Sequence, residues 1–238
     1  MNKHIEREAR KSQDNLVVNA ITIDCVIFGF DDNKLEVLLV KHGEGIRKGK
    51  WGLPGGWLKE EEGIDSAANR LLKELTGIDN LYLEQLKAFG EPDRFPLGRV
   101  ITIGYYALIK KTDYNIKAGY TASDARWCAP EDVGKLIYDH NDILNYSIEY
   151  LRRRVRHEPI GFNLLPEKFT LFQLMHLYQN ILGVTLDKSN FRRKILRMKL
   201  LIDLGEKERC VSHRAAKLFQ FDPKRYKELT KQGFNFEV

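Results

Sequence analysis

The stretch that decides the fold is Gly56-Trp57-Leu58-Lys59-Glu60-Glu61-Glu62-Gly63-Ile64-Asp65-Ser66-Ala67-Ala68-Asn69-Arg70-Leu71-Leu72-Lys73-Glu74-Leu75-Thr76-Gly77-Ile78. Residues 62–76 have helical character, and Gly77 is placed to stop the helix as a C-cap residue. Arg70 and Glu74 form an i,i+4 pair, and Glu62 stands near the helix start, where a carboxylate complements the dipole. Upstream, residues 15–30 read as a strand rich in Val, Ile and Thr. Asp31-Asp32-Asn33 is turn chemistry, and residues 35–40 read as the hairpin partner. A Gly- and Lys-rich loop, residues 42–50, leads into Trp51-Gly52-Leu53-Pro54-Gly55-Gly56. Downstream, residues 81–89 and 99–109 read as strands. Residues 127–133 hold a proline turn, and residues 139–156 an amphipathic helix.

The 238-residue chain has 43% hydrophobic, 11% aromatic and 30% charged residues, with 18 Gly and 7 Pro. This composition excludes collagen-like, low-complexity and wholly disordered classes. Cys25, Cys128 and Cys210 are far apart and form no CxxC or Cys/His cluster, which argues against a disulfide framework or structural zinc and for a reducing cytoplasm. The polar N-terminal residues 1–15 hold no apolar core, and the longest apolar stretch, residues 20–30, is far below the ~20 residues of a membrane span. A soluble cytoplasmic protein without membrane contact is expected. Residues 1–158 hold 24 Lys/Arg against 25 Asp/Glu, and residues 159–238 hold 15 against 8. The basic surplus therefore sits in the last third, which points to a polyanion-binding module joined to a neutral body. Pro159, Gly161 and Pro166 cluster at the junction.

The segment Gly56-x5-Glu62-x7-Arg70-Leu71-Leu72-Lys73-Glu74-Leu75-Thr76-Gly77-Ile78 resembles the Nudix box, G-x5-E-x7-R-E-U-x-E-E-x-G-U, where U is a bulky aliphatic. Gly56, Glu62, Arg70, Leu72, Glu74, Gly77 and Ile78 match in register. The resemblance implies that residues 15–155 form an α/β/α sandwich around a mixed sheet. The family's metal-holding carboxylates sit at the second, fifth and sixth positions of the R-E-U-x-E-E segment, which are Leu71, Glu74 and Leu75 in this chain. Spacings of three and four residues put these positions on one helical face. Mg²⁺ needs several hard oxygen ligands there, and leucine supplies none. Glu60 and Glu61 lie in a loop outside the helical register. The sequence therefore predicts no metal or other cofactor and no hydrolase activity, with Leu71 and Leu75 making the pocket face apolar.

A pocket without its catalytic set is still concave, and the strands supply polar groups. Asp24 lies in Ile21-Thr22-Ile23-Asp24-Cys25-Val26-Ile27, on the face of Thr22 and Val26 by alternation. An aspartate among strand hydrophobes costs desolvation unless it is hydrogen-bonded or binds something, and the sequence leaves both roles open. Lys41 and His42 follow the second strand, and Arg94 sits on a turn entering the long strand. A solvated loop charge is the competing reading for each. The candidate effector-binding residues are Asp24, Lys41, His42, Glu74 and Arg94.

A second motif starts at Phe169. Thr170 reads as an N-cap with Gln173 in the capping-box position, and Gly183 stops the helix. After a short turn, Asp187 caps a second helix, Lys188-Ser189-Asn190-Phe191-Arg192-Arg193-Lys194-Ile195-Leu196-Arg197-Met198-Lys199. Phe191, Ile195 and Met198 form its buried seam. Lys188, Ser189, Asn190, Arg192, Arg193, Lys194 and Arg197 face away, as a recognition helix requires for phosphates and base edges. Residues 200–204 and 216–221 read as wing strands around a basic wing, residues 205–214, which adds Arg214 to the DNA-binding set. The competing reading is a solvated basic face. The capped helix pair, the wing-like hairpin and the local charge surplus weigh against it.

Both halves together resemble the Nudix-related transcriptional regulators, an effector-sensing Nudix domain followed by a winged helix-turn-helix. The resemblance rests on residues 89–106, Asp139-His140-x-x-Ile143-Leu144, Leu164-Leu165-Pro166-x-x-Phe169-Thr170-Leu171 and Asn190-Phe191-Arg192-Arg193-Lys194. It implies a homodimer on a double-stranded DNA operator, with residues 1–157 as the effector domain and 158–238 as the DNA-binding domain. Some members sense ADP-ribose and control NAD synthesis, and another branch senses arabinose and controls pentose catabolism. The missing metal carboxylates favour a neutral sugar. The sequence reading is thus a repressor of sugar catabolism released by L-arabinose. The alternatives are an ADP-ribose-sensing regulator, or an active Nudix pyrophosphatase with an accessory nucleic-acid module.

Overall fold

The structure, a computed structural model, describes residues 18–31, 34–208, 215–234 and 236–237. Its first half is organised by β1 (Ile21–Asp31), whose alternation gives it two apolar faces. Ile23, Cys25 and Ile27 are buried on one side, and Val26, Phe28 and Phe30 on the other. A strand apolar on both faces needs cover on both, and β1 lies in the middle of a seven-stranded mixed sheet. It runs parallel to β6 (Ile101–Lys110), from Ile21 opposite Ile101 to Phe30 opposite Lys110. On its other edge it pairs antiparallel with β2 (Lys34–His42) and, nearer its start, with β4 (Gly55–Trp57). β5 (Glu84–Phe89) extends the sheet beyond β6, while β3 (Trp51–Gly52) and β7 (Ala122–Cys128) pair with β2.

Two helices cover the sheet. α1 (Ile64–Thr76) buries Ala67, Ala68, Leu71 and Leu72 against the face of Ile23, Cys25 and Ile27, and Leu75 is buried as well. α2 (His140–His157) lays Ile143, Leu144, Leu151 and Val155 on the opposite face. The α/β/α sandwich expected from the resemblance is the observed architecture. Three retained residues anchor α1. The Arg70 guanidinium donates to Glu62 at 2.7 and 2.5 Å, to Glu74 at 3.0 Å and to the Trp57 carbonyl at 3.1 Å, which ties the loop entering the helix to its middle.

The core continues without a break into the second half. A 3₁₀ turn, Ile160–Leu164, follows α2 and inserts Phe162 among Phe169, Phe221 and Phe236. Its ring stacks on Phe221 at 4.3 Å. β8 (Phe169–Thr170) leads into α3 (Leu171–Leu182), and Thr170 and Gln173 form the expected capping box. Gly183 ends α3 at φ 68°, where a side chain would be strained and would also meet the Arg152 guanidinium. α4 (Lys188–Arg197) is capped by the Asp187 side chain, which accepts from the Asn190 amide. β9 (Leu201–Lys207) and β10 (Lys217–Phe221) form a hairpin, completing a three-stranded sheet in the order β8-β10-β9. α5 (Pro223–Lys231) follows. The winged helix expected from the sequence is present, although Arg214 and the rest of the wing tip lie outside the described residues. Among those residues no helix is long and apolar enough to cross a membrane.

The structure adds elements the sequence reading lacks. β7 carries Ser123, Asp124 and Arg126 and shows no apolar alternation; pairing with β2 makes it a strand. Only Trp127 and Cys128 of the expected proline turn belong to that strand, and Pro130–Asp132 forms the 3₁₀ turn after it.

Two outcomes follow from this packing. Phe162→Ala removes a buried ring from the aromatic core and should cost about 3–5 kcal/mol, read as a lower denaturant midpoint. Arg70 holds the Glu62 carboxyl down from 4.5 to about 2 through their hydrogen bonds. A depressed carboxyl stabilises the fold above its unfolded value and loses that contribution as pH falls through its folded one. The melting-temperature gap between wild type and Glu62→Gln should therefore be widest above pH 4.5 and close towards pH 2.

Candidate effector cavity and nucleic-acid interface

Asp24 is the one acid on the buried length of β1, and the structure satisfies it from three sides. Its Oδ2 accepts from the Thr102 hydroxyl on β6 at 2.7 Å and lies 3.4 Å from an Arg94 Nη. Its Oδ1 lies 3.4 Å from His140 Nε2. Strand β4 brings Gly55 opposite Asp24, and a Cβ there would stand 2.3 Å from Oδ1. The carboxylate thus occupies the space that any other residue at position 55 would fill.

Arg94 and His140 are held in turn. The Arg94 fork donates to both Asp139 oxygens at 2.8 Å. Asp139 is the N-cap residue of α2, yet its side chain makes no capping bond because Arg94 takes it. His140 Nδ1 accepts from the Leu53 amide at 2.9 Å, which leaves the ring proton on Nε2, facing Asp24. Burial is the main influence that lowers the His140 pKa, which favours the neutral ring beside Asp24.

Above this floor lies a cavity of about 240 Å³. Trp57, Phe95, Tyr138 and His140 wall it as a continuous aromatic row, with successive ring centroids 5.9, 5.0 and 5.8 Å apart. His42 faces it with its pKa lowered, first by burial and then by His140. Among the described residues its Nε2 has no hydrogen-bond partner. Arg47 lies over the Tyr138 ring at 4.8 Å. The cavity offers an aromatic wall, a neutral imidazole and cationic guanidinium groups around one buried carboxylate.

Of the residues singled out in the sequence, Asp24, His42 and Arg94 meet at this cavity. Lys41 and Glu74 do not. Lys41 precedes His42 on β2 and takes the opposite face by alternation, where its ammonium lies 5.9 Å from the Trp51 ring. Glu74 is bound to Arg70 on α1. The expected apolar pocket face is also corrected: Leu71 and Leu75 are buried and do not line the cavity. The family's divalent metal does not fit this donor set. Leucine occupies two ligand positions, Glu62 and Glu74 are both committed to Arg70, and no group of three potential ligand side chains gathers among the described residues. Sequence reasoning missed Arg47, Phe95, Thr102, Tyr138 and His140. Arg47 lay in the Gly- and Lys-rich loop and His140 in a stretch carrying the family resemblance, but only the fold brings them together.

The second site is the outer face of α4. Lys188, Ser189, Asn190, Arg192, Arg193 and Arg197 are exposed, while Phe191 and Ile195 are buried and Met198 half-buried. Asn190 Oδ1 accepts from Arg193 at 2.6 Å, and Lys194 lies 3.9 Å from Glu237. Lys188, Arg192 and Arg197 have no acid within ion-pair distance among the described residues. The helix therefore presents cations without an acidic partner to solvent, Lys188 and Arg192 on one flank and Arg197 on the outer face.

The family model of the NUDIX domain matches residues 18–150, and that of the NrtR DNA-binding winged helix domain matches residues 161–221. The ADPR responsive transcriptional repressor NtrR of Acinetobacter baylyi is 32% identical over 205 residues, covering 84% of this chain and 81% of that protein. The crystal structure of Shewanella oneidensis NrtR complexed with a 27mer DNA has a TM-score of 0.69 at 30% identity, covering 91% of this chain and 97% of that one. The NUDIX domain of the same protein complexed with ADP ribose has a TM-score of 0.55 at 30% identity, covering 63% of this chain and 99% of that one. The chain belongs to the Nudix family, as a regulator of the NrtR type in which the Nudix domain is followed by a winged helix DNA-binding domain.

Proposed function

We propose that this protein is a transcriptional repressor that binds double-stranded DNA through α4 and senses ADP-ribose, without hydrolysing it, in the cavity over Asp24. The observation that carries this reading is the course of α2. Asp139 and His140, at its start, hold the cavity floor. Near its other end Leu151 and Val155 share a core with Leu174 and Leu177 of α3, and Arg152 donates to the Ile181 carbonyl at 3.3 Å. One helix of 18 residues, roughly 27 Å at 1.5 Å per residue, joins the ligand site to the DNA-binding half, which begins after His157. Related proteins support the two ligands: the A. baylyi repressor is named for its ADPR response, and the S. oneidensis structures hold a 27mer DNA and ADP ribose.

The reading of L-arabinose rested on the metal carboxylates missing at Leu71 and Leu75, but neither leucine lines the cavity. The cavity walls instead carry Arg47, Arg94 and His42, groups suited to an anionic ligand. The same two leucines leave no set of carboxylates to hold the metal that pyrophosphatase chemistry needs. A homodimer suits the DNA role, because one winged helix alone reads too few base pairs.

ADP-ribose should raise the melting temperature in proportion to ln(1 + [L]/Kd), and L-arabinose should leave it in place. Neither ADP-ribose nor nucleoside triphosphates should turn over with Mg²⁺ or Mn²⁺. Turnover near the ordinary enzyme range, about 1 s⁻¹ or faster, would reinstate the hydrolase reading. On DNA, Arg193→Ala should cost about 1–3 kcal/mol and flatten preference at one base pair. Lys188→Ala, Arg192→Ala and Arg197→Ala should each weaken all sequences alike and lower the salt slope by about one unit. Gel-shift titrations at several salt concentrations separate the two roles. Wild-type binding by all four variants would make α4 a solvated face.

A further inference from the structure

The cavity over Asp24 is small for a whole ADP-ribose. Its volume of about 240 Å³ falls below the roughly 300–1,000 Å³ of ordinary small-molecule sites. A second recess, of about 820 Å³, adjoins Tyr138, and its walls carry Lys50, Lys87 and Lys135 together with the carboxylates Glu91, Asp93 and Asp142. Arg47, Arg94, Ile137 and Tyr138 line both recesses and form the divide between them.

The two cations on that divide are in opposite states. Arg94 is fully engaged by Asp139 and Asp24. Arg47 faces no carboxylate at ion-pair distance among the described residues, and its Nε is buried without a hydrogen-bond partner. A partly desolvated guanidinium without an acceptor is an unmet demand for an anion, and its planar fork matches phosphate oxygens better than a hydroxyl. Its contact is the Tyr138 ring, at 4.8 Å. Tyr138 itself adopts φ 50°, a left-handed backbone that is costly for an aromatic residue and concentrates at ligand sites. The residue directly precedes Asp139 and His140, so the strained turn sets both the divide and the start of α2.

We propose that Arg47, seated on Tyr138, is the residue that reads the diphosphate of the effector. The ligand spans both recesses, with one sugar-bearing end over Asp24, the other between Lys87 and Lys135, and the diphosphate against Arg47. This assignment rests on the ADP-ribose reading and gives it a source of specificity. A monosaccharide fits within the first recess and has no use for Arg47.

Calorimetric titration of the full chain with ADP-ribose, AMP and L-arabinose tests it. Arg47→Ala should weaken ADP-ribose binding about ten- to hundredfold, the effect of losing one or two charge-assisted hydrogen bonds. Arg47→Lys, which keeps the charge and lacks the fork, should fall between that variant and wild type. AMP, which fills one recess, should bind wild type more weakly than ADP-ribose. Melting curves of the unliganded variants check that each is folded. If wild type binds ADP-ribose and Arg47→Ala binds it equally well, the assignment of Arg47 falls and the ADP-ribose reading stands. If wild type ignores ADP-ribose and binds L-arabinose, that reading falls and takes the assignment with it.

Discussion

A carboxylate in the central strand of a covered sheet has to be neutralised locally, and much of the first half is arranged to do so for Asp24. An unpaired buried charge would cost several kcal/mol. The partners come from distant parts of the chain: Thr102 from the parallel neighbour strand, Arg94 from the turn before it, and His140 from the opening of α2. Each partner has its own requirement. Arg94 brings a second carboxylate, Asp139, which gives up its capping role. His140 must be neutral with its proton on Nε2, and the Leu53 amide enforces that tautomer. Gly55 must lack a side chain. The network fastens β1, β4, β6 and α2 to one point, and that point is the floor of a cavity. The groups that hold the sheet together at this point are therefore the ones that shape the cavity.

The same arrangement explains which features were legible in the sequence. Alternation on β1, the Nudix register from Gly56 to Ile78, the caps at Thr170 and Asp187, and the seam of Phe191, Ile195 and Met198 are all local signals. Local sequence determines them because the interacting groups are within a few residues of one another. β7 has no such signal, since its strand character comes from pairing with β2. The cavity is harder still. Alternation could have separated Lys41 from His42, because neighbours on a strand face opposite sides. Nothing local could tell that Arg47, from a loop, and His140, from a helix start, would share a wall. Spacing placed Leu71, Glu74 and Leu75 on one side of a helix, but it did not say that Leu71 would pack under the sheet and Glu74 would pair with Arg70.

That point alters the meaning of the degenerate box. Where the family places metal-bound carboxylates, Leu71 and Leu75 are both buried, Leu71 against the sheet. Burying a leucine side chain is worth about 1.5–3 kcal/mol. Glu62, Arg70 and Glu74 remain as an ion cluster that fixes the entry loop to the helix. The segment whose pattern identifies the family thus works in this chain as a packed structural helix. The cavity lies on the other face of β1, around Asp24.

The separation has a consequence for regulation. α1 and the cavity lie on opposite faces of the sheet, and the cavity face is the one covered by α2. A ligand held on the α1 side would meet a helix that ends within the Nudix domain. A ligand over Asp24 meets residues that begin a helix whose last turns are packed against α3, one short turn from the α4 face. Binding can shift an equilibrium only through groups whose contacts differ between states. Asp139 and His140 stand where the cavity floor meets the start of that helix. The helix that begins at the cavity floor is thus also the helix whose last turns pack against the DNA-binding half.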